Sequence, residues 1–386
     1  MATIQKQIRM VFDLNKCLGC QACTMACKTM WTDRDKGSEY MYWNNVETMP
    51  GRGYPKNWWI PGEQDKAGIP DPNTPANYDD LRQGVRWYNQ ARPVTPDYGA
   101  PWEYNYSDVL PTEGGDAAAQ KLVPSPNPSG ERAYAANWDE DVGAAAMPDN
   151  YYFYLPRICN HCSKPACVAA CQRQAVYKRP EDGIVLIDQS RCKGWRYCVK
   201  ACPYKKIYFN PGDSPTSGRK SQKCIFCYPR LEDPKGFGTG RHSFCFTQCV
   251  GRVRYVGYFF PDRDPLDPLN QQYNVNKLIY KHGVALQLHP EFGTEPNLYY
   301  IPPLSTPTLV GGAPTTARRI PPAYLARLFG DNPTQTLAER EARIAWILDQ
   351  LEAARFAPDG SDGAELRQIL TARSESDRLQ LDLPIP

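Results

Sequence analysis

No stretch of this chain approaches the roughly 18 consecutive apolar residues that a membrane helix requires, although apolar residues make up 41% of its 386 positions. The opening Met1-Ala-Thr-Ile-Gln-Lys-Gln-Ile-Arg has neither an apolar signal core nor a twin arginine. The chain is therefore expected neither to span a membrane nor to carry its own export signal. An excess of either charge is also missing: 45 Lys+Arg stand against 42 Asp+Glu, for a net +3. That balance leaves no footprint for nucleic acid or for an anionic membrane surface. Histidine is scarce. His161, His242, His282 and His289 are all there are, and none belongs to a zinc-type or catalytic arrangement. His161 alone sits among candidate ligands, where a supporting role is expected. No glycine-rich nucleotide loop, nucleophile elbow or paired-carboxylate site is recognisable.

Two residue types stand out by abundance or placement. Proline, at 37 positions, is roughly twice its average usage of about 5%; it limits regular helix and sheet, so long irregular stretches are expected. Cysteine occurs 15 times, all in four tight groups with none left over. The first group is Cys17, Cys20, Cys23 and Cys27, spaced C-x2-C-x2-C-x3-C. The second is Cys159, Cys162, Cys167 and Cys171, spaced C-x2-C-x4-C-x3-C. In the third, Cys192, Cys198 and Cys202 surround Trp195. The fourth is Cys224, Cys227, Cys245 and Cys249, a C-x2-C and a C-x3-C separated by an insertion. An odd count in a long chain fits a disulfide framework poorly. Structural zinc uses knuckles well separated along the chain, and the run from Cys17 to Cys27 is too crowded for one tetrahedral ion. The same run is the spacing of bacterial ferredoxins, in which three thiolates hold one cubane cluster and the fourth ligates a second.

The groups repeat. Asp13 to Cys23 aligns without gaps over Asp188 to Cys198, Cys27 falls over Cys202, and each copy follows a short apolar run, Met10-Val11-Phe12 or Ile184-Val185-Leu186-Ile187, that reads as a strand. Groups two and four match each other in the same way. The expected fold is α+β: two bacterial ferredoxin-like modules, one inserted in the other, with long irregular loops and a helical C-terminal region. Residues 1–30 and 222–260 form the split outer module, 151–221 the inserted one, 31–150 an irregular partner-binding region and 261–386 a C-terminal extension.

Cross-ligation then assigns Cys17, Cys20, Cys23 and Cys249 to a first four-iron cluster, and Cys27, Cys224, Cys227 and Cys245 to a second. Cys159, Cys162, Cys167 and Cys202 take a third. Cys171, Cys192 and Cys198 remain for a fourth site, where Trp195 stands in the slot that Cys20 fills in the first copy. Indole is a donor only, so a three-iron cluster is expected there; the alternative is a four-iron cluster with water or another outside ligand at the open corner. Lys16, Lys28, Lys193, Arg196, Lys205, Lys206 and Lys223 lie beside ligands, where together they would raise cluster potentials; taken singly, each reads first as an ordinary solvated cation.

Outside the cysteine groups, Gly251–Phe260, Val284–Leu288 and Tyr299–Pro303 read as extended. Thr336 and Glu339 form a capping box ahead of Ile344, Ile347, Leu348 and Leu351 at helical spacing, a stripe expected to face the protein's own core. From about Phe356 the polar composition reads as a tail.

The cysteine groups, Trp195, Trp43-Asn44-Asn45-Val46-Glu47-Thr48, the run Cys202 to Pro211 and Cys227-Tyr228-Pro229-Arg230 resemble the beta subunits of molybdenum enzymes of the dimethyl sulfoxide reductase superfamily. The chain is most similar to the group containing ethylbenzene dehydrogenase, nitrate reductase, nitrite oxidoreductase, dimethyl sulfide dehydrogenase, and the selenate, chlorate and perchlorate reductases. The resemblance covers residues 8 to about 304, and Trp195 is its nitrate-reductase-like variant. It implies an electron-transfer subunit that is not itself an enzyme, with three 4Fe–4S clusters and one 3Fe–4S cluster in a near-linear chain. It also implies a catalytic alpha subunit holding a bis-guanine-dinucleotide (bis-MGD) molybdenum cofactor beside the first cluster, and a haem b gamma subunit or membrane anchor beside the fourth. A periplasmic location, reached by export with a signal-bearing partner, is the expectation, with the cytoplasmic face of the membrane as the alternative. Two rival readings are a stand-alone iron–sulfur enzyme using an open iron corner, which Trp195 disfavours, and a zinc scaffold.

Overall fold

The apolar run ahead of the first cysteine group forms strand β1, Gln7–Asp13, and all seven of its residues are buried. Its polar members are buried with partners. The Gln7 carboxamide oxygen accepts from Lys178 Nζ at 2.6 Å, and Arg9 donates to the Tyr280 hydroxyl at 2.7 Å. A computed structural model describes residues 4–32, 41–50, 58, 125–126, 132–133, 151–209, 220–232, 243–310, 313–361 and 363–381. Most of the irregular insertion expected at 31–150 lies outside these residues. All the cysteines lie within them.

Each cysteine group sits between two strands. Group one lies between β1 and β2 (Asn45–Met49), and group two between β3 (Phe153–Arg157) and β4 (Val176–Lys178). Group three lies between β5 (Val185–Ile187) and β6 (Ile207–Phe209), and group four between β7 (Ser221–Lys223) and β8 (Arg254–Phe259). The strand leaving one group pairs antiparallel with the strand entering the next: β2 with β3, β4 with β5, β6 with β7. The last, β8, returns to β1. The four units thus close into a ring. Short helices follow the ligands in each loop. Helix α1 (Ala22–Cys27) of group one packs against α4 (Phe244–Thr247) of group four, and α2 (Ala166–Ala169) of group two against α3 (Tyr197–Ala201) of group three.

The conspicuous 43–48 segment is a structural knot. Arg157 on β3 forms a buried ion pair with Glu47 on β2 at 2.9 Å. Asn45 and the Trp58 indole N–H also donate to the Glu47 carboxylate, at 3.1 and 3.0 Å. Lys206, in the second conspicuous segment, reaches Asn45, and the Tyr208 hydroxyl donates to the Tyr42 carbonyl at 2.6 Å. Buried charges hold only when paired and hydrogen-bonded in this way; removal of one partner from such a pair typically costs about 3–5 kcal/mol.

The C-terminal region extends the β1/β8 sheet. Strands β9 (Leu286–Leu288), β10 (Leu298–Ile301), β11 (Phe329–Gly330) and β12 (Leu379–Gln380) complete a six-stranded sheet in the order β11-β9-β10-β1-β8-β12. Helix α5 (Leu337–Arg355) begins at the expected capping box, with Glu339 accepting from the Thr336 amide at 2.8 Å. Its Ile344, Ile347, Leu348 and Leu351 are buried in the main core. At about 1.5–3 kcal/mol for each fully buried aliphatic side chain, that stripe anchors the helix.

The segment beyond Phe356 is not a tail. Helix α6 (Ala364–Thr371) buries Leu366 and Ile369, the Ile369 carbonyl accepts from the Tyr255 hydroxyl at 2.9 Å, and β12 runs parallel to β8. Helix α6 buries only these two apolar side chains and Leu379 of β12 is half-buried, so the composition reads as polar although the segment is folded.

Candidate metal centres

The sequence repeat is also a backbone repeat. Gly19 and Gly194 have φ of +66° and +67°, and the residues two further on, Gln21 and Arg196, have +56° and +64°. Asp13 accepts from the Asn15 amide at 3.1 Å, as Asp188 does from the Ser190 amide at 2.8 Å. Groups two and four correspond as closely. His161 and Phe226 share a left-handed φ, as do Gln174 and Arg252, and the Cys171→Val168 amide bond at 3.1 Å is matched by Cys249→Phe246 at 3.2 Å. Left-handed residues inside a loop turn successive backbone N–H groups to one side, which suits an anion held within it. Sulfur receives several of them. Cys224 Sγ accepts from the Phe226 amide and Cys249 Sγ from the Val253 amide, both at 3.3 Å, while the Trp31 indole N–H donates to Cys227 Sγ at 3.2 Å.

The thiols come together across groups. Cys17, Cys23 and Cys249 lie within electrostatic range of one another, and Cys20 shares their loop with its side chain exposed. Cys27 is surrounded by Cys224, Cys245 and Cys227. Cys162 and Cys167 face Cys159 and Cys202, and Cys198 faces Cys171 and Cys192. Three cavities coincide with these sets. Cys27, Cys224, Cys227 and Cys245 line one, together with Trp31, Trp43 and Asn44. Cys159, Cys162, Cys167 and Cys202 line another with His161. Cys171, Cys192 and Cys198 line the third with Trp195.

Burial pushes most of these thiols up, Cys17 to about 11 and Cys162, Cys198 and Cys227 to about 12, because a thiolate loses its hydration there. Cys23 is the exception. Burial raises it too, but the Arg254 guanidinium and the polar side chains of Asn44 and Thr24 outweigh burial and leave it below its ordinary value.

The donors fit a cluster. No three of these thiols, with or without His, Asp or Glu, are set among the described residues to hold a single metal ion, so the sets suit a ligand that brings several iron atoms of its own. Several buried donors lining the cavities have no protein acceptor, among them Nε2 of His161 and Nε1 of Trp43. His161 Nδ1 accepts from the Val185 amide at 3.0 Å. Burial, with Lys223 and Lys178 nearby, keeps the ring neutral, so its proton sits on Nε2.

Residues 150–259 match the 4Fe-4S dicluster domain family. Over 85% of its length, and 87% of the relative's, the chain is 49% identical to the dimethylsulfide dehydrogenase subunit beta of Rhodovulum sulfidophilum. The chain belongs to the family of iron–sulfur beta subunits. It is 48% identical to the selenate reductase subunit beta of Thauera selenatis, over 88% of this chain and 92% of that one. To the respiratory nitrate reductase subunit beta of Haloferax mediterranei it is 41% identical, over 98% and 95%. This beta subunit transfers electrons and is not catalytic by itself. No helix among its described residues is long and apolar enough to cross a membrane.

The cations expected beside the ligands divide in this beta subunit. Lys28, Lys205, Lys206 and Lys223 are buried, whereas Lys193 is exposed and solvated. Lys223 Nζ donates to the Cys224 carbonyl at 2.7 Å and lies near the Cys167 thiol. Arg254 is absent from the expected set. It follows Cys249 by five residues and reaches Cys23 only because β8 pairs with β1, a contact that adjacency in sequence does not reveal. The available signal was a charged residue opening the apolar run Arg254-Tyr-Val-Gly-Tyr-Phe.

Proposed function

We propose that this beta subunit relays single electrons through three 4Fe–4S clusters and one 3Fe–4S cluster, between a molybdenum (bis-MGD) catalytic subunit and a haem b or other carrier subunit. The observation that carries this reading is the grouping of the thiols, set one with four and two with three, with Trp195 at the fourth cavity in the position Cys20 holds in the first loop. On this reading the ligands are Cys17, Cys20, Cys23 and Cys249; Cys27, Cys224, Cys227 and Cys245; Cys159, Cys162, Cys167 and Cys202; and, for the three-iron site, Cys171, Cys192 and Cys198. Groups one and four make an outer ferredoxin-like module into which groups two and three are inserted. The β1·β8 and β4·β5 pairs support that division, and the β2·β3 and β6·β7 pairs tie the modules together.

Iron–sulfur clusters supply reversible one-electron chemistry. The chain's residues do the rest. Thiols anchor the iron, and the Trp31 indole and backbone amides donate to sulfur. Buried Arg254, Lys206 and Lys223 offset the negative charge, and the apolar walls keep water out. The need for a catalytic partner follows from the relatives, which are named as beta subunits of a dehydrogenase and of reductases. We place the complex in the periplasm, exported with a signal-bearing partner. A complex of the nitrate reductase type at the cytoplasmic face is the second reading, favoured by Trp195 and by the match to a nitrate reductase subunit over 98% of the chain.

The test is low-temperature EPR on the anaerobically purified complex, oxidised and then reduced stepwise, with iron and zinc counted on the same sample. A three-iron signal when oxidised, followed on reduction by overlapping four-iron signals, is expected. Zinc with little iron would overturn the relay; four-iron signals alone would overturn the assignment of the Trp195 site.

A further inference from the structure

We infer that Arg254 is a shared counter-cation of the first two cluster sites, and that its one guanidinium raises the reduction potentials of both together. The inference rests on the ligand sets proposed above. Arg254 opens β8 and is 1% exposed. Its guanidinium has Cys23 and Cys249, assigned to the first site, and Cys245, assigned to the second, as electrostatic neighbours, and the amide of the adjoining Val253 donates to Cys249 Sγ at 3.3 Å. Nη2 donates to Asn44 Oδ1 at 3.3 Å, and the Phe12 ring lies 5.0 Å below the guanidinium carbon. Asn44 belongs to the same junction: its side-chain oxygen accepts from Arg254 and the residue lines the cavity of the second site.

A comparison within the molecule shows what Arg254 lacks. Arg157 is equally buried, and a carboxylate, Glu47, pairs with it at 2.9 Å. Among the described residues no carboxylate pairs with Arg254; the acidic groups around it are cysteine thiols, and its buried Nε has no acceptor. A guanidinium taken out of water without an anion is costly. The groups around it that can offset that cost are the thiols of Cys23, Cys249 and Cys245. The compensation becomes complete when those thiols are thiolates on iron.

The consequence for electron flow is electrostatic. Reduction adds one negative charge to a cluster, so a nearby buried cation favours the reduced state and raises the potential. Solvent screens such a cation little, because it is buried. Since the same charge faces ligands of both sites, its effect is shared, and the first two positions move as a pair relative to the rest of the chain.

The test compares Arg254→Gln, which keeps hydrogen-bond donors but removes the charge, with Arg254→Lys, which keeps the charge but loses the planar fork. Both are made in the intact complex and read by EPR-monitored redox titration, with iron counted. In Arg254→Gln two four-iron potentials are expected to fall while the third and the three-iron potential hold. In Arg254→Lys both are expected to stay near their starting values. If Arg254→Gln keeps its iron and neither potential falls, or only one does, the shared role is overturned. If Arg254→Gln loses iron, Arg254→Lys decides: two lowered potentials there would show that geometry rather than charge is at work and overturn the inference. Failure of the underlying ligand reading looks different, because the unsubstituted complex would then lack the four-iron signals themselves.

Discussion

The loops at residues 13–27 and 188–202 are one piece of chain built twice, with one ligand position changed. The aspartate cap, the left-handed glycine and the left-handed residue two positions later superimpose in kind, although the position between those two residues holds Cys20 in one loop and Trp195 in the other. The loop conformation therefore does not depend on the number of thiols it presents. Backbone geometry is set by Asp, Gly and the strand that precedes them; cluster type is left to a single side chain. Surroundings differ more than shape: Cys20 is exposed, whereas Trp195 is half-buried against the fourth cavity.

Exchange of that side chain is the most forceful way to sharpen the comparison. Trp195→Cys is expected to abolish the three-iron EPR signal, add a four-iron signal and raise the iron content. Cys20→Trp is expected to do the reverse at the first site, where a second three-iron signal should appear and a four-iron signal be lost. A three-iron signal that persists in Trp195→Cys would mean that the fourth cavity, and not the missing thiolate, selects the cluster.

A smaller effect is expected from the two glycines. Both have a φ that costs a side-chain-bearing residue about 1–3 kcal/mol, but a Cβ on Gly19 would also meet the Tyr154 ring at 2.6 Å. Gly19→Ala is therefore expected to destabilise the protein, read as a lower thermal unfolding temperature and a loss of the first-site signal. With Tyr154→Ala in the same chain, the further loss on adding Gly19→Ala should shrink, since residues in contact couple. An unchanged loss would mean that the backbone conformation, and not the Tyr154 ring, sets its size.

The sequence made this repeat legible because ligand spacing, aspartate and glycine are local features. Strand β1, the β5 run and the α5 capping box were legible for the same reason: each is written in adjacent residues. Arg254 was not, since its contact with Cys23 spans some 230 positions and exists only through the β1·β8 pair. The folding of residues 364–381 was hidden by a different cause. Leu366 and Ile369 supply a single helical turn of apolar pattern, and Leu379–Gln380 is too short a strand to show alternation. The ring of strand pairs lay between these extremes. Of its members, β1, β5 and β8 were visible as strands whereas β2, β3, β4, β6 and β7 were not, and the partners of all eight depended on which loops close.

The subtlest difference between the copies lies in the two capping aspartates. Asp13 and Asp188 make equivalent backbone contacts, yet their acidities move in opposite directions. Burial pushes Asp13 above its ordinary value, outweighing the attraction of Lys16 at 3.5 Å. Hydrogen bonds from the Ser190 hydroxyl, at 2.6 Å, and from the Arg191 and Ser190 amides hold Asp188 below it. The signs follow from linkage. The contribution of Asp188 is present above the usual carboxylate value near 3.8 and is lost as pH falls through its lower folded value. Asp13 favours folding when protonated; that contribution is present below 3.8 and is lost as pH rises through its raised folded value. At pH 7 Asp188→Asn is accordingly expected to lower the unfolding temperature, whereas Asp13→Asn, which keeps an oxygen to accept from Asn15, should leave it unchanged or raise it. Both differences should vanish below the folded value of Asp188, where each carboxyl is already neutral. If Asp13→Asn proved the more damaging at pH 7, the ion pair with Lys16 would outweigh burial, and the two caps would be alike in energy as well as in shape.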